Sequence, residues 1–186
     1  MPLAYIGMGG NLARWAGAPE ATLAAAARRL DSLGHVVRRS SLYSTAPVGF
    51  ADQPRFVNAV VALETELAPR LLLNGLQTIE LEFGRERTEG LQNGPRTLDL
   101  DILLFDDLET SAPDLEIPHP RLAERAFVLV PLNEIAPQAV VPGSSRTVEE
   151  LLTLLRLDSD AVLPVKCKDW TQNGPKNSNW EQICTP

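Results

Sequence analysis

The chain has 186 residues, 44% hydrophobic and 22% charged, which suits one globular domain with a sizeable core. A net charge of -7 and a sequence pI of about 4.9 argue against general nucleic-acid binding, which needs an excess of Lys and Arg on one face. No apolar run approaches the roughly 20 residues of a membrane helix, and the start MPLAYIGMGGN lacks the basic and long apolar stretches of a secretory signal. A cytoplasmic protein without a membrane partner is therefore expected.

Residues 3–8 read as a short buried strand stopped by Gly9-Gly10-Asn11. Pro19 opens a helix over 19–33 that Gly34 ends, and 36–43 read as a strand. Two prolines and a glycine make 44–55 a loop, and 56–66 is a valine-bearing strand. Leu71, Leu72, Leu76, Ile79 and Phe83 fall at helical spacing between Pro69 and Gly84, which predicts a helix over 68–83. The polar segment 85–96 is expected to be a mobile loop, followed by a strand over 98–105. A turn region, Ile117-Pro118-His119-Pro120, an apolar segment over 127–135 and a helix near 147–156 complete the body. The core order β-α-β-β-α-β predicts an α+β, ferredoxin-like fold with a mostly antiparallel sheet and helices on one face of it.

The composition shifts near residue 160. All three lysines, both cysteines (Cys167 and Cys184) and two of the three tryptophans lie beyond it, whereas the 14 arginines lie before it. This divides the chain into a domain over 1–160 and an extension over 161–186, either an appended segment or a chance shift of composition. Two thiols give neither a disulfide framework nor zinc spacing.

Asp99-Leu100-Asp101 is the pattern richest in chemistry. Residues i and i+2 of a strand share a face, so two carboxylates project side by side from an otherwise apolar strand. Like charges so close repel, and a divalent cation shared with phosphate oxygens would relieve them. An edge-strand pair capping arginines is the alternative. Arg85, Arg87, Arg96, Arg121 and Arg125 flank the pair in sequence, and a guanidinium fork matches phosphate oxygens. Gly7, Gly9 and Gly10 lack a Walker lysine and the dinucleotide glycine spacing, so a tight turn is expected there. His119, held between two prolines, is either structural or a phosphate donor. Phe56, Phe127 and Asn58 offer apolar faces and an amide edge to a flat ligand, or else simply pack the core.

Several segments together resemble the pyrophosphokinase family of folate synthesis, which acts on 6-hydroxymethyl-7,8-dihydropterin. They are Tyr5-Ile6-Gly7-Met8-Gly9-Gly10-Asn11-Leu12, Tyr43-Ser44-Thr45-Ala46-Pro47-Val48-Gly49, Gln53-Pro54, Phe56-Val57-Asn58-Ala59, Ile79-Glu80 and Gly84-Arg85-Glu86-Arg87. The most specific is Gly94-Pro95-Arg96-Thr97-Leu98-Asp99-Leu100-Asp101-Ile102, and Ile117-Pro118-His119-Pro120-Arg121 with Arg125-Ala126-Phe127 closes the series at about residue 137. The resemblance implies transfer of pyrophosphate from ATP to the pterin hydroxymethyl group with release of AMP. It also implies two Mg²⁺ ions on Asp99 and Asp101. Thr45, Val48, Phe56, Asn58 and Phe127 would line the pterin site. Gln77, Glu80, Arg87, Arg96, Ile102, His119 and Arg125 would surround ATP. Arg85 and Arg96 would act in catalysis from long mobile loops. A monomer whose partners are these two small molecules is expected, with no nucleic acid.

The sequence departs from the family pattern in three places. The first turn reads Gly-Gly-Asn where Gly-Ser-Asn is usual, the 89–93 segment lacks the tryptophan some members carry, and Pro120 stands where some members have tyrosine. A γ-phosphoryl kinase and a non-catalytic binding module are the competing readings.

Overall fold

A computed structural model describes residues 1–47, 52–85, 94–155 and 162–170. Strand β1 (Leu3–Gly10) leads to helix α1 (Pro19–Arg29), then β2 (His35–Arg39), β3 (Leu42–Thr45) and β4 (Phe56–Glu64). Helix α2 (Pro69–Glu82) and strand β5 (Asp99–Phe105) finish the core motif. Proline occupies the first turn of both α1 and α2, where its missing N–H costs no helix bond. Gly84 follows α2 at φ +75°, a conformation that a side chain would strain, and turns the chain out toward Arg85.

The core strands lie in the order β5, β1, β4, then β2 and β3 together, all antiparallel. This is the ferredoxin-like order that the sequence predicts. β2 and β3 are two halves of one segment alongside β4, interrupted at Ser40-Ser41. Across the break Ser40 still serves the ladder: its N–H donates to the Val60 carbonyl at 2.9 Å, and its Oγ accepts from the Val60 N–H at 2.9 Å.

One expectation changes. Helices cover both faces of the sheet. On one face, α1 and α2 pack against Ile6, Met8, Ala59, Val61, Leu100 and Ile102. On the other, helices α3 (Ala126–Ile135) and α4 (Val148–Leu154) pack against Val60, Ala62 and Leu103. The reason is visible in β4, which is buried along nearly its whole length and so needs a layer on each side. The turn region before α3 is a small hairpin, β6 (Thr110–Ala112) with β7 (Leu115–Ile117), and β8 (Val140–Val141) with β9 (Arg146–Thr147) leads into α4. Thr147 and Glu150 form a reciprocal capping box at the α4 start, worth about 1 kcal/mol.

The change of composition near 160 is not a break in packing. Strand β10 (Val162–Val165) pairs with β3, and Trp170 is buried with its indole N–H donating to the Ser40 carbonyl at 2.7 Å.

Candidate active site

The face that carries α3 is covered over only part of its area. Beside the first turn of α3, strand alternation brings Gly7 and Gly9 of β1, Asn58 of β4, and Asp99 and Asp101 of β5 to one cleft. Gly9 pairs with Asp99 and with Asn58, and Gly7 with Asp101, so the glycines lie between the amide and the carboxylates. A Cβ on Gly9 would sit 2.8 Å from Asn58 Oδ1. The expected turn at Gly7-Gly9-Gly10 is thus a strand, and its glycines clear a floor. Gly10 has a different constraint: a Cβ there would meet the Thr97 carbonyl oxygen at 2.3 Å, so only glycine lets the backbone before β5 come this close.

The carboxylate end is crowded with charge. Arg85 donates to both Glu80 and Asp99, and Arg96 Nε lies 2.8 Å from Asp99 Oδ2. Burial, then the neighbouring Asp99, raises the pKa of Asp101 to about 6, with Arg85, Arg125 and Arg96 pulling against the shift. Among the described residues no group of three or more His, Cys, Asp and Glu converges to hold a metal. Two hard carboxylates on one face nevertheless fit Mg²⁺, which takes one or two protein carboxylates and completes its shell with phosphate and water.

At the aromatic end Thr45 and Asn58 are buried and joined, the Asn58 amide donating to Thr45 Oγ1 at 2.7 Å. Phe56 pairs with Thr45 across β3 and β4, and the Arg96 guanidinium lies 4.9 Å over its ring. Phe127, in the first turn of α3, stands under Arg125 at 5.3 Å. Asn58, Arg96, Arg125 and Phe127 line both ends, so the pocket and the carboxylates form one cleft. Cation over ring at two places leaves guanidiniums poised between an apolar slot and an anionic floor.

Around the outer edge of β5, Glu80 is buried and accepts the Leu100 N–H at 2.7 Å, which caps a free strand edge. Burial raises its pKa to about 7, against the pull of Arg85 and of the Leu100 amide. Gln77 lies one helical turn earlier on α2 and is half-buried. The Ile102 side chain is buried in the core beneath α1 and α2, so only its backbone is available to a ligand at this edge. His119 continues the edge, donating its backbone N–H to Leu103 O at 2.9 Å. Its Nδ1 accepts from the Arg121 N–H at 3.2 Å, which leaves Nε2 to carry the proton of the neutral ring. Burial, with Arg125 and Arg121 nearby, lowers its pKa to about 4. Val48 and Arg87 lie outside the described residues.

Comparison with known proteins decides the family. The family model described as 7,8-dihydro-6-hydroxymethylpterin-pyrophosphokinase matches residues 5–137. The chain belongs to this family. A 2-amino-4-hydroxy-6-hydroxymethyldihydropteridine pyrophosphokinase of Pseudomonas aeruginosa is 46% identical over 162 residues, covering 86% of this chain and 96% of the relative. One from Haemophilus influenzae is 46% identical over 146 residues, covering 77% of this chain and 88% of the relative. Among solved structures, Plasmodium falciparum HPPK-DHPS wild type with pteroate has the same fold, with a TM-score of 0.64 at 16% identity. The match covers 82% of this chain and 42% of that longer one. The reaction of this pyrophosphokinase family is transfer of pyrophosphate from ATP to hydroxymethyldihydropterin, in folate biosynthesis.

Two groups of residues in this pyrophosphokinase are missed by reading the sequence for side-chain chemistry. Gly7 and Gly9 are one, although their i, i+2 spacing within a strand is itself a signal for an open face. Asn11 is the other. It is buried, donates to Gln53 Oε1 and to the Pro54 carbonyl, each at 3.0 Å, and accepts the Arg96 N–H at 2.8 Å. One amide thus ties the end of β1 to the segment before Phe56 and to the backbone of Arg96. Only the fold brings these three together.

Proposed function

We propose that this chain is a Mg²⁺-dependent ATP:pterin diphosphotransferase that works through the cleft just described. The observation that carries the reading is the single floor shared by the aromatic slot and the aspartate pair. The pterin ring lies between Phe56 and Phe127, with Asn58 and Thr45 along its edge, and the family resemblance adds Val48 to the same site. ATP lies along the outer edge of β5, among Gln77, Glu80, the Ile102 backbone, His119 and Arg125, and the family resemblance adds Arg87 to its contacts. Asp99 and Asp101 would hold two Mg²⁺ ions, whose chemistry would be to neutralise triphosphate charge and to lower the pKa of the attacking hydroxyl.

The hydroxyl oxygen attacks the β-phosphorus in line, the bond from that phosphorus to the α-phosphate oxygen breaks, and AMP departs. The hydroxyl proton leaves to solvent or to Asp101, and no other side-chain base is proposed. Arg85 and Arg96 exchange Asp99 for the triphosphate oxygens and stabilise charge as it shifts toward the leaving group. Neutral His119 donates from Nε2 to a phosphate, a role its lowered pKa permits because no further cation is added beside Arg121 and Arg125.

A cytoplasmic monomer that binds these two small molecules and no nucleic acid or membrane is the simplest setting. Among the described residues no helix is long and apolar enough to cross a membrane. The test is product analysis by mass spectrometry with ATP, Mg²⁺ and hydroxymethyldihydropterin. AMP and a pterin diphosphate are expected, whereas ADP and a pterin monophosphate would make the chain a γ-phosphoryl kinase.

A further inference from the structure

The two walls of the aromatic slot belong to different elements, and they meet far from the slot. Thr45 is the last residue of β3, and Phe127 lies in the first turn of α3. Following each wall away from the cleft leads to one carboxylate. Glu134, in the last turn of α3, accepts the Ser41 N–H at 2.7 Å, the Ser41 hydroxyl at 2.9 Å and the Tyr43 hydroxyl at 2.9 Å. Next to it the Ile135 carbonyl accepts from Arg38 Nη1 at 2.8 Å. The end of α3 is therefore fastened to the β2–β3 segment at Arg38, Ser41 and Tyr43.

This fastening uses the strand break. Ser41 follows the interruption at Ser40, and its N–H goes to Glu134. Tyr43 pairs with Asn58 across the sheet, and Thr45, two residues on, pairs with Phe56. In the other direction α3 runs back seven residues to Phe127, about 10 Å at helical rise. Pro131 stands between them and cannot donate to the Phe127 carbonyl, so the first turn of α3 has one helix bond fewer to hold it in line. The slot is a pair of jaws that diverge from one clasp.

We infer that Glu134 is a positioning residue that sets the spacing between the Thr45–Asn58 wall and Phe127, and hence the fit of the pterin ring. It touches neither substrate. The inference rests on the pterin placement proposed above. A carboxylate suits the task because its two oxygens take three donors from two residues of the β2–β3 segment, charge-assisted hydrogen bonds that a neutral amide cannot reproduce.

Steady-state kinetics on the full chain test it. Glu134→Gln should raise KM for the pterin about tenfold, with KM for ATP and kcat held within about twofold. Thr147→Ala, which removes the distant α4 cap, should lower the melting temperature yet leave both KM values unchanged. The inference is overturned if Glu134→Gln shifts the pterin KM no more than Thr147→Ala does, or raises both KM values alike. Phe127→Ala separates the pterin placement from the clasp. If it leaves the pterin KM unchanged, the pterin placement itself is wrong; if it raises that KM while Glu134→Gln does not, only the clasp is wrong. In the double variant the pterin KM should rise by less than the product of the single effects, because both act on one wall. A full product contradicts the route through Phe127. Should Glu134→Gln fail to fold, Tyr43→Phe removes a single bond of the clasp and should show the same selective rise at about threefold, its absence counting against the inference.

Discussion

The two faces of the central sheet carry the same strands and opposite chemistry. Toward α1 and α2, successive positions of β1, β4 and β5 hold Ile6 and Met8, Ala59 and Val61, Leu100 and Ile102. One residue out of step, toward α3, the same strands hold Gly7 and Gly9, Asn58, Asp99 and Asp101. The first face binds the domain together by removing apolar surface from water. The second gives up that gain over part of its area and places a bare floor, an amide and two carboxylates there. On the proposed assignment stability and activity are divided between the sides of one sheet, so substitutions one residue apart should differ in kind.

The largest contrast is expected at β5. Asp101→Ala should reduce kcat by about three or more orders of magnitude while the unfolding midpoint in urea stays within error. Leu100→Ala, its neighbour on the opposite face, should cost about 2–5 kcal/mol in the same urea experiment. Inverted outcomes would break the division. Next in size, Arg96→Ala should lower kcat by about 10²–10³, and single-turnover measurement with saturating ATP would show the loss in chemistry and not in binding. A smaller effect is structural: Gly10→Ala forces the β1 backbone off Thr97 and should cost about 2 kcal/mol in thermal unfolding.

The smallest effect concerns His119. Its folded pKa of about 4 lies below the unfolded value of about 6.5. The unfolded chain therefore binds more protons between those values, and this contribution to stability rises with pH through the window and is lost as pH falls through it. Imidazole resonances of His119 should not titrate between about pH 5.5 and 8. A midpoint near 6.5 would mean that the ring is hydrated and free of the field of Arg121 and Arg125.

Much of this was legible in the residues alone. Prolines and glycines bracket α1 and α2, so their positions follow from local chemistry. The i, i+2 aspartates announce a shared face before any sheet is known. The family resemblance implies roles for Gln77, Ile102 and His119, which no spacing rule assigns. What stayed hidden depends on distant contacts. The layer formed by α3 and α4 shows only once β4 is seen to be buried on both sides. The glycine floor needs the β1–β5 register, and the Glu134 clasp joins residues 91 and 93 apart in the chain. The composition near 160 left an appended segment and a chance shift both open, and neither reading foretells that Trp170 is buried with a partner 130 residues away.

The carboxylate pair is proposed to act through metal. The most direct measurement is initial rate against Mg²⁺ concentration, starting from protein stripped with a chelator, with pterin diphosphate and AMP resolved by mass. Turnover should be absent without metal, rise with added Mg²⁺, and stay absent at every concentration in the Asp99→Ala/Asp101→Ala double variant. Undiminished turnover in excess chelator, or in that variant, would contradict the account.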